Sequence, residues 1–128
     1  MSGVIMIRKP QLGSRLSNES WYVNEAFFEN AISNIWKHSK KTEHSKHVYK
    51  IAINQKGLAL YKYKWKEFLA FYEAAKRTQK YQKEVGGKCF KGNPEFFERY
   101  LLSFDQLVFM LEEFIKEKDN ESANLHHK

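Results

Sequence analysis

The sequence predicts a single α+β domain, in which a small antiparallel sheet with a central β-hairpin packs against amphipathic helices. Three observations point there. Two β-compatible runs, "HVYKIAIN" and "LALYKYKW", are separated only by "QKG", the arrangement of a hairpin. Three other stretches repeat apolar residues at the 3.6-residue period of a helix. The 128 residues make one domain's length, enough for a real core and too few for two ordinary ones. Residues 1–118 are assigned to that domain and residues 119–128 to a flexible C-terminal tail.

In chain order, "VIMIRK" (Val4 to Lys9) is rich in β-branched residues and stops at Pro10, which predicts a short strand. Gly13, Ser14 and Ser17 mark a loop. From Val23 to His38, Phe27, Phe28, Ala31, Ile32 and Ile35 recur at helical spacing, with Glu25, Glu29, Asn30 and Asn34 on the other side. "KHSKKTEHSKH" (Lys37 to His47) has no apolar residue and reads as a solvated loop. Between Lys66 and Val85 a stripe of Phe68, Leu69, Phe71, Tyr72 and Ala75 predicts a helix, stopped by Gly86 and Gly87. In "GNPEFFERYLL", Asn93 is placed to cap a helix and Pro94 to open it. Ser103 and Gln106 have capping-box spacing and predict a second start. That helix carries Phe104, Leu107, Val108, Leu111, Phe114 and Ile115 on its apolar face, with Glu112, Glu113 and Glu117 outside it. After Lys118 the sequence "DNESANLHHK" reads as a frayed end.

The hairpin carries the functional expectation. With Gly57 in a left-handed conformation closing a bulged turn, Ile53 faces Ala59, Ile51 faces Tyr61, Tyr49 faces Tyr63 and His47 faces Trp65. The opposite side then pairs Lys50 with Lys62, and Lys64 and Lys66 follow. Like charges placed directly opposite cost up to about 1 kcal/mol, and a run of phosphates would relieve them while releasing condensed counterions. The alternative is a solvated face whose lysine stems cover Val48, Ala52 and Leu60.

Charge is segregated along the chain. Residues 1–36 are neutral overall, residues 37–91 hold fifteen basic and four acidic groups, and residues 92–128 hold four basic and eight acidic. A concentrated basic segment builds the local field expected of a polyanion-binding surface. Lys76, Arg77, Lys80 and Lys83 crowd the end of one helix, and Lys40, Lys41 and Lys46 lie in the preceding run. Trp65 is the first candidate to stack on an unpaired base, with Tyr63 and Tyr81 behind it. Such stacking contributes about 1–3 kcal/mol per base and tolerates any base. Lysine outnumbers arginine 18 to 4, which favours phosphate attraction over base reading. No helix-turn-helix, zinc-finger or basic-zipper pattern is present.

In its organisation, with "YKIAINQKGLALYKYKWKEF" followed by helices and an acidic end, the chain resembles the small single-stranded-DNA-binding proteins of archaeal viruses. It is also loosely similar to the sheet-based single-strand binders of the transcription-coactivator and Whirly type. The first resemblance implies a viral protein that works inside a host cell. No site residue is carried over from either family.

Enzyme chemistry is not expected. Asp105 and Asp119 are the only aspartates and the glutamates are dispersed, so a carboxylate cluster for metal-dependent catalysis is hard to assemble. His38, His44 and His47 have irregular spacing for a metal, and Cys89 has neither a second cysteine nor a triad. No cofactor is implied. No apolar run reaches the length of a membrane span or a signal peptide, so an intracellular location is expected. The expected partner is single-stranded nucleic acid, with a homodimer through the helix of residues 103–118. The rival reading is a small viral or plasmid-borne regulator whose basic surface docks on an acidic host protein.

Overall fold

The computed structural model describes residues 2–9 and 20–126. The loop expected at Gly13, Ser14 and Ser17 lies outside them. Ser2–Met6 (β1) is the central strand of a three-stranded sheet, antiparallel to Ser20–Asn24 (β2) and parallel to Gly57–Ala59 (β3). Ile5 lies opposite Trp21 on one side and beside Leu58 on the other. All three are buried, and each contributes roughly 1.5–3 kcal/mol through removal from water. The sheet is therefore mixed, where a purely antiparallel one was expected. The chain returns to β1 through two helices, and a return of that length can bring β3 in parallel.

Asn24 ends β2 and at the same time caps Glu25–Lys37 (α1), its Oδ1 accepting from Phe27 N at 2.8 Å. Phe27, Phe28, Ala31, Ile32 and Ile35 are buried, as their spacing predicts. Asn30 and Asn34, expected on the solvent side, are buried as well. Each clamps the segment before the last helix. Asn30 exchanges hydrogen bonds with the backbone of Lys91, and Asn34 donates to Cys89 O at 2.9 Å. An asparagine side chain satisfies buried backbone groups as no aliphatic side chain can, so α1 buries polar residues without leaving them unpaired.

The expected hairpin does not form. Glu43–Gln55 is a helix (α2), only Gly57–Ala59 is strand, Leu60–Lys62 is a 3-10 turn, and Trp65–Val85 is a helix (α3). Thr42 opens α2 with a capping box, its side chain accepting from Ser45 N while the Ser45 hydroxyl accepts from Thr42 N. Lys56 closes α2 in the left-handed conformation, with φ 55°, so the turn that Gly57 was expected to make is made one residue earlier. Val48, Tyr49 and Ala52 are the residues α2 buries. They fit a helical period as well as Tyr49, Ile51 and Ile53 fit an alternating one, and the cap at Thr42 decides between them. The segment that carries the family resemblance is thus helix, strand and helix. The "solvated loop" likewise shrinks to residues 38–42.

A last helix, Phe97–His126 (α4), follows a 3-10 turn at Pro94–Phe96 that Asn93 caps. It runs through Ser103 without a break, because nothing between Phe97 and Gln106 is a glycine or proline. Its backbone is helical past Lys118, into the residues assigned to the C-terminal tail. Phe104, Leu107, Val108 and Leu111 are buried, and Trp21 Nε1 donates to Ser103 O at 2.8 Å, tying β2 to α4. No helix among the described residues is long and apolar enough to cross a membrane.

Candidate nucleic-acid interface

With α2 helical, Lys50 does not lie across from Lys62, and the predicted binding residues divide into three groups. The first surrounds a groove of about 720 Å³ between the end of β1, the 3-10 turn at Leu60–Lys62, the start of α3 and the C-terminal half of α4. Trp65 stands at its mouth, 39% exposed. Its ring is stacked on Phe68 at 5.2 Å and tilted against Phe114 at 6.1 Å, so one face is fixed while the side chain stays open to solvent. Tyr61 and Tyr63 line the groove half-buried. Burial and the nearby Glu67 carboxylate push the Tyr63 phenol above its ordinary pKa.

Lys62, Lys64 and Lys66 are exposed beside this groove and make no ion pair among the described residues. The α4 wall is of mixed charge. Arg8 pairs with Glu117 and lies 5.2 Å from the Phe114 ring centre, while Lys118 lies 5.6 Å from that ring and 3.9 Å from Glu121. Free positive charge therefore sits on the lysine side of Trp65 and on Lys9, which lines the groove and is exposed.

The second group gathers at the seam of α1 and α2. Lys46 and Lys50 rim a shallow groove of about 350 Å³ floored by Ile32, Trp36, Tyr49 and Ile53. Lys41 Nζ lies 4.2 Å from the Trp36 ring centre and donates to Trp36 O. Burial lowers the Lys41 pKa. Trp36 had no part in the sequence reading. Its position at the last turn of α1, one residue before the basic run, was the available signal. Tyr49, expected on a hairpin strand opposite Tyr63, is instead buried in this seam and stacked on Phe71 at 6.2 Å. Lys40 is exposed in the loop after α1.

The third group is the outer face of α3, where Lys66, Lys76, Lys80 and Lys83 are exposed over about 25 Å of helix. Two of the predicted residues there are already engaged. Arg77 donates from Nε and Nη2 to His38 O at 3.0 and 2.8 Å, closing the C-terminus of α1. Lys83 pairs with Asp105 at 3.2 Å. Tyr81 is half-buried and packs its ring on His38.

The three histidines are apart from one another in role. His38 Nδ1 hydrogen-bonds Asn34 O at 2.8 Å, and His44 pairs with Glu67. His47 is exposed. Cys89 is buried, donates to Gly86 O, and has its thiol pKa raised by desolvation. No protein-family model matches the chain, and neither a curated protein nor a solved structure matches it.

Proposed function

We propose that the protein binds single-stranded nucleic acid, DNA in the first instance, without strong sequence preference and without catalysis. The observation that carries this reading is Trp65, left 39% exposed on an aromatic stack while Trp21 is 1% exposed, next to three lysines with no carboxylate partner among the described residues. In the proposed complex a base stacks on Trp65 and Tyr63, and the phosphates track Lys62, Lys64 and Lys66 onto Lys76 and Lys80. On the α4 wall Arg8 and Lys118 are each paired with a carboxylate, Glu117 and Glu121, so the phosphates gain more on the lysine side. A duplex keeps its bases stacked inward and offers Trp65 no face.

The test is tryptophan fluorescence during titration with oligothymidine at two salt concentrations, beside a duplex of equal length. The expected result is quenching that is strong for the single strand, weak for the duplex, reduced by salt, and lost in Trp65→Ala but kept in Trp36→Phe. An absence of binding at low salt overturns the reading and moves the search to a protein ligand.

A further inference from the structure

We propose that the outer face of α4 binds a second copy of this chain, antiparallel, with the twofold axis at Gln106. The core side of α4 holds Phe97, Tyr100, Phe104, Leu107, Val108 and Leu111, all buried. At 100° per residue, Leu102 and Phe109 point directly away from that side. They are 70% and 61% exposed, left open by the described residues of their own fold. Water is a costly neighbour for two large apolar side chains at the same heptad position.

The residues around them say what the cover is. Arg99 precedes Gln106 by seven positions and Glu113 follows it by seven, on the same outward stripe. In an antiparallel pair centred on Gln106, Arg99 of each copy meets Glu113 of the other, twice over, joining the Lys116 that lies 3.5 Å from Glu113 within its own helix. Leu102, four residues before the axis, meets Phe109 of the other copy, three residues after it, an offset of about 1.5 Å along the helix. The surface is therefore self-complementary, as an isologous twofold interface requires. A parallel pair would set Arg99 on Arg99 and Glu113 on Glu113, so charge also selects the orientation.

This surface differs from the apolar face of residues 104–115 that the sequence offers for dimerisation, which is spent on the protein's own core. It is also independent of the nucleic-acid reading, since neither Leu102 nor Phe109 lines the Trp65 groove.

Sedimentation equilibrium of the full chain, from low to high micromolar concentration, tests the proposal. The wild type should be a dimer. Phe109→Ser and Arg99→Glu should each weaken association at least about tenfold, with unchanged far-ultraviolet circular dichroism, and Arg99→Glu combined with Glu113→Arg should restore it. A wild-type monomer throughout overturns the proposal. So does a dimer indifferent to Phe109→Ser, or one whose charge reversal is not rescued by the second reversal.

Discussion

A methyl group at Gly3 would overlap Phe28 Cβ and Cγ, and Phe28 is fully buried. Gly3→Ala should therefore force β1 and α1 apart and lower stability by roughly 1–3 kcal/mol, measured as a drop in the urea midpoint with an unchanged slope. Nothing in the sequence signals this contact, because it joins residues that only the fold brings together. Asn34 is a similar case. Its amide also donates to Gln82 Oε1 at 3.1 Å in a cluster shared with the Tyr100 hydroxyl, and helical periodicity put it in water. A polar residue and a solvent-facing one have the same hydropathy, and burial became affordable only through partners 48 to 66 residues away. Lys56 makes a third. Its ion pairs with Glu25, at 3.0 Å, and Glu29 lower the Glu25 pKa and raise its own. The Glu25 contribution is present above the ordinary carboxylate pKa and lost as pH falls through its depressed value. The Lys56 contribution is lost as pH rises through its elevated value. Lys56→Gln should thus lower stability at neutral pH and flatten the acid limb of a thermal-melt profile, and an acid limb identical to the wild type would show the pair to be idle.

Elements were legible where one period was unambiguous. The buried stripes of α1, α3 and the middle of α4 follow from Phe27 to Ile35, Phe68 to Ala75 and Phe104 to Leu111, and Gly86, with φ 68°, stops α3 where a stop was expected. The segment from Val48 to Ala59 was not legible, because its short apolar set satisfies two periods and the deciding signal lay outside it. That signal is the hydroxyl of Thr42. Thr42→Ala should cost about 1 kcal/mol and reduce helicity near Tyr49. In a hairpin Thr42 would lie in open loop and the same change would be neutral, so this single variant separates the two structures by unfolding and circular dichroism.

Across the whole molecule, the sequence's charge segregation survives the change of fold. The basic segment becomes α2, β3 and α3, and the acidic one becomes α4. What the hairpin reading could not foresee is that helical folding places the lysines around two tryptophans instead of one ribbon. Lys62, Lys64 and Lys66 accompany Trp65, while Lys41, Lys46 and Lys50 surround Trp36. Salt dependence tells these surfaces apart. Each phosphate contact on a single strand adds about 0.7 to the slope of log affinity against log salt. If the strand follows the Trp65 groove, replacing Lys62, Lys64 and Lys66 together by glutamine should lower that slope by about 2 and weaken binding most at low salt. Replacing Lys46 and Lys50 should leave slope and affinity near those of the wild type, since their rim lies on the α1 and α2 seam. A reversed pattern would put the strand over Trp36, and Trp36→Phe would then abolish the quenching that Trp65 is expected to report.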